Sequence, residues 1–465
     1  VRYRLDGSVR RLQGGRLVLG GSPLSAYRLT EAGARFVDAL ERGDDVTTAG
    51  ATGRLLDRFV DAGVVHPQPV SGAASPALTV VVPARDRDVG PLVAALGGLP
   101  VVVVDDGSSP PLTVDGAVVV RRPRSSGPGA ARNAGLVHVD TPYVAFVDSD
   151  VELSPGWLEP LVAHLDTDPR VALVAPRVAS SPGPGWLARY EAGSSPLDLG
   201  PEPARIRPGT RVSYVPAAVL VARTDAVRHI GGFDESLATG EDVDVVWRLV
   251  EAGWRCRYEP VSVVLHEPRA TLAAWLAQRA GYGRSAGPLA RRHPGALAPV
   301  RVNVWTAAAW AVGAAWSVPA GVTLGAATAA LAARSDVLTP REAVRLAGRG
   351  HVLAGRQLGS ALTRAWWPLA VLAALRWRRA RVALLAAVVA PALTDRRLRD
   401  PGPAVAGARR HPLGFAAVAV ALRLLDDGAY GWGLWQGAWR ARTAAPLLPE
   451  LNGSPPWARR RRRPR

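Results

Sequence analysis

Carboxylates, one histidine and a few arginines fall at spacings that could do chemistry. Asp148-Ser149-Asp150 closes the apolar run Tyr143–Val147. Two carboxylates one residue apart in a bent turn can hold a hard divalent cation that also bridges a diphosphate; a solvated acidic turn is the alternative. Asp105-Asp106-Gly107-Ser108-Ser109 follows the run Val101–Val104, so its carboxylates are expected at a sheet edge, accepting hydrogen bonds from a base or ribose. A plain Asp-Gly turn competes with that reading. Gly127-Pro-Gly-Ala-Ala-Arg132-Asn133-Ala-Gly135 opens a helix with small residues and adds a guanidinium able to pair with phosphate. It is no Walker loop, because it has no Lys followed by Ser or Thr. Gly240-Glu241-Asp242-Val243-Asp244 places carboxylates at the start of an amphipathic helix. A carboxylate there stays ionised and suits a general base that deprotonates a hydroxyl; ordinary charge compensation of the helix is the alternative. His266 follows the run Ser262–Leu265 and could complete a metal shell.

Such residues need a scaffold that brings strand ends together. Residues 78–267 alternate β-branched runs with helical patterns, which predicts an α/β domain with a largely parallel sheet. Strands are expected at Leu78–Pro83, Val101–Asp105, Ala117–Arg121 and Tyr143–Asp148, and helices over Gly90–Leu96, Gly129–His138 and Pro155–Leu165. Ligands of such sheets bind outside the carboxyl ends of the strands, where the acidic and Gly-rich segments fall. Residues 1–70 form a small module ahead of this domain. Val9–Leu19 reads as two short strands around Gly14-Gly15, with helices starting at Thr30 and running through Leu55, Leu56, Phe59 and Val60. A unit of that size is marginal alone, so docking or partner binding is expected. Residues 71–77 read as a linker, 78–300 as the sheet domain, 301–450 as a helical apolar region and 451–465 as a disordered basic tail.

Composition narrows the function classes. The single Cys256 permits no intrachain disulfide and no Cys-rich metal cluster, so a reducing cytosol is expected. Every basic residue is Arg; residues 1–270 hold 28 Arg against 32 acids, and residues 271–465 hold 29 against 7. A basic half of that size suits nucleic acid, anionic lipid or a phosphorylated substrate. Its neighbours are apolar: Val302–Ala333 runs 32 residues without a charge, and about 20 residues cross a bilayer as helix. One transmembrane or embedded segment at the cytoplasmic face of the cell membrane is therefore expected; a buried helical hairpin is the alternative, since Pro319 interrupts the run. Ala365–Leu375, Val382–Thr394 and Pro412–Leu422 are too short to span and read as interfacial or core helices. Arg459–Arg463 reads as a tail that touches lipid, and with no groove-reading motif beside it no nucleic acid is expected as partner.

Taken in order, Val80-Val-Val-Pro83, Asp105-Asp106-Gly-Ser, Ala-Arg132-Asn133, Asp148-Ser-Asp150, Gly231-Gly-Phe-Asp-Glu235 and Gly240-Glu241-Asp242 resemble the GT-A domain of the family 2 glycosyltransferases over residues 78–270. That resemblance implies a nucleotide-diphosphate sugar donor, a divalent cation (Mg²⁺ or Mn²⁺) and inversion at the anomeric carbon. It further implies that Asp106 contacts the nucleobase and that Arg85 and Arg132 line the nucleotide site. Asp148 and Asp150 would hold ribose and metal, His266 would join the metal, and Asp242 would be the base. The Gln-x-x-Arg-Trp pattern of processive synthases is missing, with Gln278-Arg279-Ala-Gly-Tyr282 in that neighbourhood, so a long polysaccharide channel is not expected.

The N-terminal module resembles PqqD-like peptide-recognition modules in its Arg-rich strand, short hairpin, Leu29-Thr-Glu-Ala-Gly33 helix and Asp61-Ala-Gly-Val-Val-His66 strand. The whole layout, with Tyr282-Gly-Arg-Ser-Ala-Gly-Pro-Leu289, resembles the mycofactocin-system glycosyltransferases. This implies iterative β-1,4 transfer of glucose from UDP-glucose onto a redox-cofactor precursor derived from a ribosomal peptide. A cell-wall or lipid-linked polysaccharide glycosyltransferase is the nearest rival. A non-catalytic, membrane-bound peptide-binding adaptor is the rival outside enzymes, and the ordered set of acids counts against it.

Overall fold

A computed structural model describes residues 1–46, 48–70, 77–334, 338–394 and 412–453. Residues 71–76 of the expected 71–77 linker and the Arg459–Arg463 run lie outside the described residues. The chain divides into two compact units, residues 1–183 with 195–268, and residues 184–194 with 269–465.

The first unit opens with β1 (Arg2–Leu5), β2 (Arg10–Leu12), β3 (Leu17–Gly20) and β4 (Ser25–Arg28), then α1 (Glu31–Arg42), α2 (Gly50–Ala62) and β5 (Val65–Gln68). Strands β2, β3 and β4 form an antiparallel sheet, and β1 pairs with β5, so the ends of the module meet. Thr30 caps α1 by accepting from the Gly33 N–H, and Gly43 ends the helix in a left-handed conformation. Val18, Tyr27, Phe36, Val37, Leu40, Phe59 and Val60 fill the core, the side chains that helical and strand periodicity turn inward.

The sheet domain continues with β6 (Leu78–Ala84), α3 (Gly90–Ala95), β7 (Val101–Asp106), β8 (Val118–Arg122), α4 (Pro128–Leu136) and β9 (Tyr143–Val147). Next come β10 (Val151–Leu153), α5 (Glu159–Thr167) and β11 (Val171–Ser180); α6 (Gly185–Ser194) belongs to the second unit. The domain closes with β12 (Ala204–Ile206), β13 (Val219–Arg223), α7 (Thr224–His229), α8 (Glu241–Glu251) and β14 (Arg255–His266). Strand order is β10-β14-β11-β13-β9-β6-β7-β8, with β12 on β14.

The sheet is mixed rather than largely parallel. Strands β9, β6, β7 and β8 run parallel, but β13 is antiparallel to both β9 and β11, and β10 and β12 are antiparallel to β14. A parallel neighbour needs a crossover to the opposite edge. The chain between β11 and β13 makes none, so β13 starts on the edge where β11 ended and runs back. Residues 217 and 218 thereby reach the carboxyl ends of the parallel strands. Val80, Val82, Val103, Ala145, Val147, Leu161, Val174 and Val219 lock the layers beneath.

The N-terminal module is docked on this domain by guanidinium groups. Arg255, only 5% exposed, donates to Asp61 Oδ1 at 2.8 Å and Asp168 Oδ2 at 2.6 Å. Arg205 reaches Asp61 at 2.9 Å and Arg170 reaches Asp57 at 2.6 Å. Asp6 and His66 pair at 2.9 Å inside the contact, with Arg211 3.3 Å from Asp6.

The second unit adds α9 (Leu272–Arg292), β15 (Arg301–Asn303), α10 (Val304–Ala315), α11 (Val318–Ala332), α12 (Pro340–Thr363), α13 (Trp367–Arg376), α14 (Arg378–Thr394), α15 (Pro412–Arg440) and β16 (Glu450–Asn452). Helices α9 and α15 cross at backbone contact: a Cβ on Gly283 would stand 2.0 Å from the Tyr430 carbonyl oxygen, and one on Gly287 2.1 Å from that of Gly437. Buried Arg279 is held by Glu191 and Asp426. Segment 272–300, assigned to the sheet domain from sequence, thus packs through its long helix in the helical unit.

The uncharged 302–333 run is broken at Trp316-Ser317, where Ser317 caps α11 and Pro319 enters its first turn. Helices α10 and α11 fold back on one another with Gly321 against Gly313. This is a hairpin, though not a buried one, since Trp316 is 73% and Val322 66% exposed. Among the described residues no single helix is long and apolar enough to cross a membrane; α12 and α13 together reach the length and composition but are bent by 88°.

Candidate active site

Asp148 and Asp150 stand in the turn between β9 and β10, and the antiparallel register Val151↔His266 brings the end of β14 beside them. Asp150 and His266 meet at 3.3 Å. Asp148 turns to the other side, accepting from Arg132 Nη2 at 2.5 Å. Burial raises its carboxyl above the ordinary carboxylate range; Arg132 opposes this, while the charge of Asp150 adds to it.

Arg132 lies on α4 with 2% of its surface exposed. Its Nη1 donates to Glu241 Oε1 at 2.8 Å, and its guanidinium lies 5.4 Å from the Phe233 ring centre. Burial alone would lower the guanidinium, but Asp148 and Glu241 outweigh it and raise it, so the group stays charged. Arg132 is expected from sequence to line the nucleotide site; here its hydrogen bonds go to protein carboxylates. Asn133 locks the loop between α7 and α8, accepting from the Phe233 N–H and donating to the Phe233 carbonyl, each at 2.8 Å.

The first turn of α8 carries three acids in three different settings. Glu241 is buried against Arg132, and Asp244 is buried against Arg248 at 2.7 Å. Arg248 in turn donates to the carbonyls of Ile230 and Gly232. Asp242 is half-buried, and no ion pair to it occurs among the described residues. Its Oδ2 accepts from the Ala217 N–H at 3.3 Å and its Oδ1 from the Val243 N–H at 2.8 Å. Burial, reinforced by the adjacent Glu241 charge, pushes its carboxyl up to about 7. A carboxylate near neutrality with no counter-ion is the one of the three fitted to take a proton.

Asp106 ends β7, one residue beyond the expected strand end at Asp105, and its carboxylate is engaged internally. It accepts from Arg122 Nη1 at 3.0 Å and Ser125 Oγ at 2.7 Å, with the Ser126 and Gly127 N–H groups at 3.3 Å. These bonds shape the loop leading into α4. Asp105 does the same for the 108–112 turn, and its carboxyl is held down to about 2: burial raises it, but the hydrogen bonds from Ser108, Leu112 and Arg121 win. Arg85 is exposed on the loop after β6, its Nε 3.4 Å from Asp86.

The donor set Asp148, Asp150 and His266, two carboxylates and an imidazole, suits Mg²⁺ or Mn²⁺. Burial raises the Asp148 carboxyl and the Asp150 charge adds to it, a charge that a cation would offset. The side chains are not gathered about one point, however, and among the described residues no group of three or more His, Cys, Asp or Glu is poised to hold a metal. No role is expected from sequence for Glu241, Ala217 or Ala218. Glu241 was visible beside Asp242, but its partner Arg132 is 109 positions away.

Residues 97–225 match the model of the family described as Glycosyl transferase family 2. The chain is 42% identical to the pre-mycofactocin glycosyltransferase of Mycobacterium tuberculosis, covering 97% of each chain. It is 31% identical to an uncharacterized glycosyltransferase of Mycobacterium bovis over 39% of this chain and 83% of that one. Among solved structures, a mannosyltransferase from Pyrobaculum calidifontis in complex with GDP-Man and Mn²⁺ aligns at 20% identity and a TM-score of 0.36, over 72% of this chain and 92% of that one. The mixed sheet with acids at its strand ends fits a GT-A-like fold, and likeness to the M. tuberculosis enzyme over 97% of each chain settles the kinship: the chain is a family 2 glycosyltransferase and belongs to the pre-mycofactocin glycosyltransferase family.

Proposed function

We propose that this enzyme transfers glucose from UDP-glucose, iteratively and with β-1,4 linkage and inversion, onto the peptide-derived mycofactocin precursor, with Mg²⁺ or Mn²⁺ as cofactor. The observation that carries the chemistry is Asp242, which among the described residues is the one acid in the first turn of α8 with no ion pair. Asp242 accepts the proton of the acceptor hydroxyl as its oxygen forms the bond to the anomeric carbon and the bond to the nucleoside diphosphate breaks. A divalent cation held by Asp148, Asp150 and His266 would supply the charge that offsets the departing diphosphate. Arg85, exposed on the loop after β6, would line the nucleotide site, and Asp106 orders the loop on which the nucleobase would rest.

The acceptor assignment draws on the 42% identity with the M. tuberculosis enzyme and on the N-terminal module. Strands β2 and β4 each pair on one side only, leaving an edge to which an extended peptide can add. Location at the cytoplasmic membrane face is supported by Trp316, Leu375 and Trp377, exposed by 73%, 78% and 60%. Arg376, Arg378, Arg379 and Arg381 are exposed beside the latter two, an arrangement suited to an anionic lipid surface. The same surface favours one second reading, a lipid-linked acceptor.

The test is a donor screen with purified wild-type and Asp148→Ala protein, Mg²⁺ or Mn²⁺, and either the peptide-derived precursor or a lipid-linked sugar, read by mass spectrometry. A ladder of hexose additions to the precursor from UDP-glucose, lost in the variant, supports the proposal. Transfer to the lipid-linked sugar alone overturns the acceptor, and no transfer from any nucleotide-sugar overturns the reading.

A further inference from the structure

We infer that Arg132 and Glu241 form a positioning clamp that fixes the Asp242 carboxylate relative to the Asp148 strand end, so that Glu241 governs turnover and leaves donor binding almost unchanged. The inference rests on the reading of Asp242 as base. Three elements distant in sequence converge on one guanidinium: Asp148 after β9, Arg132 within α4 and Glu241 opening α8. The Arg132 guanidinium lies by the Phe233 ring, which packs edge-on against Phe146 of β9 with ring centres 5.0 Å apart. Glu241 is 6% exposed, and a buried carboxylate is retained only where a partner compensates its desolvation.

A second link closes the ring. The Asp148 N–H donates to the Ala218 carbonyl at 2.9 Å, and the Ala217 N–H donates to Asp242 Oδ2. Asp242 is therefore tied to the Asp148 turn through the backbone on one side and through Glu241 and Arg132 on the other. Displacing a reacting group by about 1 Å can cost on the order of a hundredfold in rate. A clamp on the base therefore acts on kcat, because donor contacts at the Asp148 turn persist when Glu241 changes.

The test compares Glu241→Gln, Arg132→Lys, their double variant and Asp242→Asn as full-length proteins. UDP affinity with Mn²⁺ is taken by calorimetry, turnover by mass spectrometry and folding by thermal melting. Glu241→Gln keeps an acceptor for Arg132; it should bind UDP within about twofold of wild type while kcat falls on the order of tenfold to a hundredfold. Arg132→Lys also frees Asp148 and should lose affinity and turnover together. The double variant should be no slower than Arg132→Lys alone, the non-additivity expected of one unit. Should Glu241→Gln not fold, Glu241→Asp, which keeps the charge but shortens the reach, must show the same split. Wild-type kcat in the Glu241 variant, or an affinity loss that accounts for its slower turnover, overturns the clamp. Full turnover in Asp242→Asn overturns instead the reading of the base, whatever Glu241 does.

Discussion

The glycines of the α9–α15 crossing make opposite predictions for one substitution at two sites in the same helix. Replacing a helical glycine by alanine gains about 0.5–1 kcal/mol through reduced backbone entropy. At Gly281 the new Cβ meets, among the described residues, only Arg284 Nη2 at 3.7 Å, an ordinary contact, so Gly281→Ala should realise that gain. At Gly287 it would stand 2.1 Å from the Gly437 oxygen and 2.4 Å from its carbonyl carbon, and both belong to backbone that cannot swing aside. Overpacking of this kind costs about 1–3 kcal/mol. The site is tight for a reason in the sequence. Pro288 has no N–H to offer the Arg284 carbonyl four residues back, and that carbonyl lies against Gly437, where a Cβ would be 2.3 Å away. Net, Gly287→Ala should destabilise by about 1–2 kcal/mol, and for a unit of this size 1 kcal/mol is about 2–4 °C of melting temperature. Scanning calorimetry of the full chain should show the helical unit melting about 2 °C higher for Gly281→Ala and about 3–6 °C lower for Gly287→Ala. Shifts of the same sign, or a gain at Gly287, would refute close approach as the reason for these glycines.

Three further outcomes follow. Arg255→Met takes one guanidinium from Asp61 and Asp168, which keep Arg205 and Arg170, and should cost about 1 kcal/mol with raised hydrogen exchange in β5; Asp57→Ala, at a half-exposed pair, should cost less than about 0.5 kcal/mol. As the proposed base, Asp242 acts in its ionised form, so kcat/KM should fall as pH drops below about 7. The folded state keeps that proton between the ordinary carboxylate range and about 7 while the unfolded chain releases it, so stability declines as pH rises through this window; Asp242→Asn should melt above wild type at pH 8, the gap closing towards pH 4. Replacing Leu375 and Trp377 by Ser should weaken binding to vesicles containing anionic lipid, and unchanged binding would remove this surface from membrane contact.

Much of the sheet was legible because its strands are runs of valine bounded by turn residues. The starts of β6, β7 and β9 fall where the sequence places them, and the acids fall at their carboxyl ends. The reversal of β13 was not legible: Val219–Arg223 reads the same in either direction, and only the path of the preceding segment decides it. The same limit applies to Arg132. Its type and neighbours suit phosphate, but the carboxylates that claim it lie 16 and 109 positions away. The segment Tyr282–Leu289 carried a family resemblance without a role, and Gly283 and Gly287 supply one in the backbone of α15.

The claim at the centre is that Asp242 takes the acceptor proton. Its most direct test is single-turnover transfer by Asp242→Asn protein pre-loaded with the nucleotide-sugar, alongside donor affinity. Asn keeps an oxygen for the Ala217 N–H and cannot accept a proton, so affinity should stay within about twofold while the transfer step slows on the order of 10²–10⁴-fold. Transfer at the wild-type rate would contradict the account.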